Sequence, residues 1–239
     1  MATDLDKIAR AALSLPEWAI VNWPGGVGRR LREAYWRKRL GRMGVGCAID
    51  VGVIIVNPQH VFLGDHVWID NYVHLIAGPP GAPERITIKE NPAFRGRIGE
   101  IHVGSNTHIA PHCVVQGHGG VSIGRDTGVA SHSVIYSLSH HYRKPGQPAG
   151  FDGVYEHVMK FTPMAPVDQQ ALIAAPAVLE DATALGLGSI VLPGATVGRY
   201  TWIGVGSVVQ GTVEPGVIAA GNPLKILKQR FGEPITDGR

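Results

Sequence analysis

The stretch Ile173–Glu214 reads IAAPAVLEDATALGLGSIVLPGATVGRYTWIGVGSVVQGTVE, and its period decides the fold. Aliphatic residues recur at every sixth place: Ile173, Leu179, Leu185, Val191, Val197, Ile203 and Val209. Four places after each stands a small or β-branched residue: Ala177, Thr183, Ser189, Ala195, Thr201, Ser207 and Val213. A period of six is neither the 3.6 of a helix nor the 2 of a flat strand. A fixed short repeat implies a solenoid, in which each unit buries its apolar face only against its neighbours. Each hexad supplies one flat side and one corner of a triangular coil. The aliphatic residue fills the axis, the small residue packs beside it, and residues such as Glu180, Asp181, Arg199 and Gln210 face outward.

The same register extends backwards, less regularly. Val45, Val51, Leu63, Ile69 and Leu75 keep it, with Asn57-Pro58 as an irregular member. After a loop with Pro79, Pro80, Gly81 and Pro83, residues Ile86 to Ile101 read as a disturbed coil with an insertion at 91–96. Hexads resume at Val103 and Ile109. Two residues are inserted within Gly117-His118-Gly119-Gly120, and Ile123, Val129 and Ile135 continue the run. The repeat then stops at Tyr136, and about 138–172 forms a long excursion with Pro145, Gly146, Pro148, Gly150 and Gly153. A loop of that length in a regular scaffold usually carries function.

Flanking the coil, residues 1–44 read as a helical segment. Leu5, Ile8, Ala12 and Leu15 share one side of a helix that Pro16 should end, and Leu31–Leu40 reads as a second, basic helix. Residues 45–220 form the solenoid, and 221–239 read as a short basic helix and tail. The 32 glycines fit many tight corners, because glycine takes positive φ freely. The net charge of +3 conceals a basic block. Between Gly28 and Arg42, seven Arg and Lys stand against Glu33 alone, which is +6 and leaves −3 for the rest. This segment reads as a polar cap on the open end of the solenoid, with a peripheral membrane contact as the alternative; Trp18, Trp23 and Trp36 favour an interface. The two cysteines, Cys47 and Cys113, make no disulfide framework or CxxC metal motif. With no leader-like or membrane-length apolar run, a cytoplasmic protein is expected, at the inner membrane face if the basic helix docks there.

The hexads resemble those of the hexapeptide-repeat acyltransferases, which form a left-handed parallel β-helix with three hexads per coil. The resemblance spans roughly Val45 to Arg230 and becomes specific at Tyr136-Ser137-Leu138-Ser139-His140-His141-Tyr142. Sugar, polysaccharide and xenobiotic O-acetyltransferases of that family place a catalytic histidine at this junction. The resemblance therefore implies His140 as general base, with His141 as the other candidate. Imidazole titrates near neutrality, so it can take the acceptor's proton as a hydroxyl or amine attacks a thioester.

The resemblance also implies acetyl-coenzyme A as donor, lying between subunits of a homotrimer. Its pantetheine track matches Leu187 and Val205, eighteen residues apart. The Gly221-Asn222-Pro223 segment leads to Lys225 and Lys228, which match phosphate-binding basic residues. Many relatives carry Thr-Lys where this chain has Gln210-Gly211, so one phosphate contact is altered. The pocket positions for simple sugars hold Ala110 and His118, which argues for a different sugar or glycan-precursor acceptor, with His118, His112 and Tyr142 as its contacts. Two other readings are a non-catalytic scaffold and a γ-carbonic-anhydrase-like metalloenzyme. The latter needs two histidines five residues apart, and no pair among the eleven has that spacing, so no metal is expected. No nucleic-acid partner is expected either.

Overall fold

The computed structural model describes residues 15–144 and 159–231. Their backbone winds through three parallel sheets, each strand pairing with the strand one coil away. The first side is built from Arg42–Met43, Val61–Leu63, Ile101–Val103, Val121–Ile123, Ala177–Leu179, Thr196–Val197 and Thr212–Val213. The second runs from Ala48–Ile49 through Trp68–Ile69, His108–Ile109, Gly128–Val129, Ala184–Leu185 and Trp202–Ile203 to Val217–Ala220. The third contains Ile54–Val56, His74–Ile76, Val114–Gln116, Val134–Tyr136, Ile190–Val191 and Val208–Val209.

Register explains why the period is six. Leu63, Val103, Ile123, Leu179 and Val197 pair in line along the first side, and all are buried. Ile69, Ile109, Val129, Leu185 and Ile203 do the same on the second, and Leu75, Val115, Ile135, Val191 and Val209 on the third. Each aliphatic side chain removed from water in this way contributes about 1.5–3 kcal/mol. The small positions bury hydroxyls beside them, and these are satisfied by carbonyls of the same or a neighbouring coil: Ser133 donates to Gly186 and Thr107 to Gly124. Cys113 is fully buried at such a position, and burial pushes its thiol up to about 11.

Several expectations need correction. Ile173 does not fill the axis but lies half-exposed in a side sheet, so the regular run begins at Ala177. Val213 is an axial residue paired with Val197, not a small-position residue, because the last corner is shortened. Glycine does not account for all the corners, since His66, Tyr72, Asn106, His112, Asp126, His132, Ala182 and Tyr200 hold φ between 56° and 64°. Among the histidines, His66, His112 and His132 hold this corner conformation, whereas His60 ends a 3-10 turn and His118 sits in a wider turn.

The first insertion is longer than the sequence suggested. The chain leaves the coil after Ile76 and returns at Ile101, and Ile86–Ile88 is no part of the solenoid. It pairs in parallel with Leu172–Ala174, which pairs antiparallel with Leu138–His140. The two excursions thus share a three-stranded side sheet with its own small core of Ile86, Leu172, Ala174 and Leu138. Asn91 fastens this strap to later coils, donating to the Pro176 carbonyl at 2.9 Å and to Thr196 Oγ1 at 2.9 Å. The middle of the long excursion, residues 145–158, lies outside the described residues.

The C-terminal segment is not a helix. Lys225–Gln229 is a strand that turns back antiparallel on Val217–Ala220. The last coil leaves an unpaired sheet edge, and backbone groups there gain partners only from an extended segment. At the other end, helix Gly25–Arg37 starts six residues before the expected Leu31 and closes the coil with Arg32 and Trp36 buried. Arg32 donates to the carbonyls of Ile49 and Trp23. Residues 15–22 are helical through Pro16, which does not end the helix. The helix expected from Asp4 lies outside the described residues except for its final residue.

Candidate active site

Both excursions leave the coil at the corner between the third and first sides. Three residues from two successive coils shape that corner. The Ser137 hydroxyl donates to the Gln116 carbonyl at 2.7 Å and accepts the Gly119 N–H at 2.9 Å. The Gln116 side chain accepts the Leu138 N–H at 3.0 Å. These bonds hold the chain where it turns out of the ladder, and two residues later stands His140.

His140 is exposed at the end of the strand Leu138–His140, edge-on to Phe161 with centroids 6.0 Å apart. Its ring nitrogens make no hydrogen bond among the described residues. His141 differs: its backbone N–H donates to Ala171 and its Nδ1 is engaged by Arg143. Tyr142 stacks on His141 and is exposed, with Arg143 donating to its hydroxyl. His118 is half-buried on the same corner, its Nδ1 2.8 Å from the Gly78 carbonyl oxygen. A carbonyl only accepts, so Nδ1 carries a proton, and in the neutral ring Nε2 presents its lone pair.

Leu187 and Val205 lie across the third side, on its other corner. Gly206 N–H donates to the Leu187 carbonyl, so the two stack one coil apart, both exposed. Their own N–H groups make no hydrogen bond among the described residues. Val208 N–H donates to the Gly221 carbonyl, which brings Gly221 and the exposed Lys225 onto the next rung of this corner. Lys228 is exposed further along the same strand. Gln210 and Gly211 stand instead on the His140 corner, two coils beyond it. Ala110 is buried, so it forms no open acceptor pocket.

His112 is not beside His118. It belongs to the Leu187 corner, stacked between Tyr72 and His132 with centroid separations of 5.3 and 5.0 Å. The stack with His132 follows from their being one coil apart. The strap also brings in a pair that the hexad pattern gave no reason to single out. His102 Nε2 lies 2.7 Å from Glu100 Oε2, and its ring stacks on Phe62 at 4.7 Å. Burial opposes the charge on Glu100, but the Arg97 N–H and His102 outweigh it and hold its carboxyl below the usual range. Among the described residues no three His, Cys, Asp or Glu side chains cluster as a metal-ligand set.

No family model matches the chain. Over 131 residues it is 29% identical to WbbJ of Escherichia coli (strain K12), a protein named for O-acetyl transfer in lipopolysaccharide biosynthesis. That alignment covers 55% of this chain, which spans about three fifths (61%) of the curated relative's length. Among solved structures, a variant of AntD, an N-acyltransferase from Bacillus cereus, superposes with a TM-score of 0.64 at 19% identity, covering 84% of this chain and 90% of that one. It was solved with dTDP-4-amino-4,6-dideoxyglucose and coenzyme A. A hexapeptide-repeat-containing acetyltransferase from Vibrio cholerae, complexed with acetyl coenzyme A, gives a TM-score of 0.55 at 17% identity, covering 97% and 92%. At these identities the structural likeness establishes the fold. The chain shares the fold of these acyltransferases and is similar in sequence to a protein named for O-acetyl transfer in lipopolysaccharide biosynthesis.

Proposed function

We propose that the protein is an acetyl-coenzyme A-dependent acetyltransferase that acylates a hydroxyl or amino group of a sugar or glycan precursor, with His140 as general base. The observation that carries this reading is the pairing of two corners. One presents an exposed imidazole whose ring nitrogens have no partner among the described residues, and the other the N–H groups of Leu187 and Val205, likewise without a partner there, leading to Lys225. The left-handed sense of the coil goes with the same family reading.

The chemistry balances without a covalent enzyme intermediate. His140 takes the acceptor's proton as the acceptor oxygen or nitrogen bonds to the thioester carbonyl carbon. The oxyanion that forms is held by a backbone N–H, for which Leu187 is the candidate. When the tetrahedral species collapses, the C–S bond breaks and the thiolate receives the proton from His140. Val205 would meet the pantetheine arm, and Lys225 and Lys228 the phosphates as point charges. Gln210 and Gly211 supply no cation at their corner. His118 Nε2 is suited to accept a hydrogen bond from the acceptor, with Tyr142 nearby in sequence and Arg143 polarising its hydroxyl.

One chain holds His140 and Leu187 on opposite edges of its third side. The outer face of that side is apolar, with Ile54, Val56 and Ile190 exposed. Three copies packed through this face would bring the His140 edge of one chain to the Leu187 edge of the next, and His112 with it. A heterologous contact that closes in this way makes a ring.

The test is thiol release from acetyl-coenzyme A across a panel of sugars and nucleotide sugars, with product mass as confirmation. His140→Ala should lower kcat about a hundredfold or more while the thermal transition stays in place. Undiminished turnover in that variant would remove His140 from the chemistry, and absence of release with every acceptor would leave a scaffold.

A further inference from the structure

We propose that the helix-capped end of the solenoid is a docking surface for an anionic lipid bilayer. The helix Gly25–Arg37 has two faces of different character. Gly28, Arg32 and Trp36, four residues apart, are buried against the first coil. The opposite face carries Val27, Leu31 and Ala34, all exposed, with Arg30 and Lys38 alongside. The segment before it adds Leu15, Trp18 and Trp23, which are 64%, 66% and 52% exposed, while Val27 is 63% exposed. Apolar side chains of this size grouped in one short segment are not needed to close the coil, since Trp36 and Leu40 already do that.

The charges divide the same way. Arg29 is neutralised by Asp50 at 2.9 Å, Arg32 is buried among carbonyls, Arg37 pairs with Glu33, and Arg39 lies over the Tyr35 ring. These four hold the cap together. Arg30, Lys38 and Arg42 form no ion pair among the described residues, and all are exposed. The outward helix face therefore combines aliphatic residues with these cations; Glu33 is turned aside to Arg37, and the exposed carboxylate of the preceding segment, Glu17, is held at Tyr35. Tryptophan and arginine beside a modest apolar stripe is the composition that settles at the headgroup level of a membrane. Among the described residues no helix is long and apolar enough to cross one. A nucleic acid would meet the cations but would leave Trp18, Val27 and Leu31 facing water, which is why lipid is the occupant chosen.

The arrangement would stand the solenoid on the membrane by its first coil. His140 leaves the fourth coil, three rungs away, which at about 4.8 Å per rung is roughly 15 Å from the cap. The surface itself does not depend on the catalytic reading, because none of its residues belongs to either catalytic corner.

The experiment is flotation of the full chain with vesicles of phosphatidylcholine alone and of phosphatidylcholine with phosphatidylglycerol, at low and high salt. Binding should appear only with the anionic vesicles and weaken as salt screens it. R30Q/K38Q should lower the partition coefficient roughly thirtyfold. V27S/L31S should lower binding without altering its salt dependence. Both variants change exposed side chains and should keep the wild-type thermal transition and thiol-release rate. Equal binding to neutral vesicles, or no binding to either, would overturn the proposal. So would binding of duplex DNA in place of vesicles, or a larger self-assembly that V27S/L31S abolishes.

Discussion

His118 Nδ1 donates to the carbonyl oxygen of Gly78 at 2.8 Å, a contact between residues forty apart in sequence. Gly78 opens the first excursion and His118 stands one coil further on, beside the origin of the second. The bond fixes the tautomer of an imidazole next to the proposed catalytic strand.

That tautomer can be tested by isosteres. In His118→Asn the amide nitrogen takes the place of Nδ1 and keeps the Gly78 bond, but nothing replaces Nε2. In His118→Gln an amide atom reaches the Nε2 position. If Nε2 accepts from the acceptor, Asn should raise the acceptor KM about tenfold, the loss of one hydrogen bond, and Gln should recover part of it. Equal KM values in both variants and wild type would make His118 a structural residue of the strap.

Ser137 is fully buried and makes two hydrogen bonds that turn the chain out of the ladder. Ser137→Ala leaves the Gly119 N–H without an acceptor and should cost about 1–3 kcal/mol, read from urea unfolding. Because His140 is three residues on, kcat should fall as well, by less than in His140→Ala. A variant as stable as wild type would show that the turn holds without this hydroxyl.

Lys225 and Lys228 are exposed on the terminal strand and make no ion pair among the described residues. Replacing both by Ala should raise the KM for acetyl-coenzyme A several-fold and leave the acceptor KM unchanged, since contacts remote from the carbonyl act as uniform binding. Raising the salt concentration should blunt the difference. An unaltered donor KM would leave the strand with only its role as a sheet edge.

The separation of His140 from Leu187 predicts complementation. A His140→Ala chain and a Val205→Trp chain, the latter built to block the Leu187 corner, should each be inactive alone. Dissociated and reassembled together, they should regain part of the activity, and light scattering should report about three times the 25.5 kDa chain mass. Full activity in a monomer would place the Leu187 corner and the histidine in a single-chain pocket.

By itself the sequence determined the solenoid and the place where it breaks. An axial position has to be aliphatic in every coil because its neighbours above and below are the same position, so Leu179, Leu185 and Val191 announce the fold without any long-range contact being known. The halt after Tyr136 marked the junction by the same logic, while the choice of His140 there came from the family resemblance; the eighteen-residue spacing placed Leu187 and Val205 on one corner. Only the tertiary structure decided what the departures from the period become. The sequence of 86–101 reads as a damaged coil, yet Ile86–Ile88 finds its partner in Leu172–Ala174, eighty-six residues away. Lys225–Gln229 has the composition of a basic helix, but the open edge at Val217–Ala220 draws it into a strand. His112 and His118, one hexad apart, fall on opposite edges of one side because each hexad turns a corner. Pairing between segments outside the repeat depends on which sheet edges and hydrogen-bonding groups are left unmet once the coil has formed, and a local period carries no record of that.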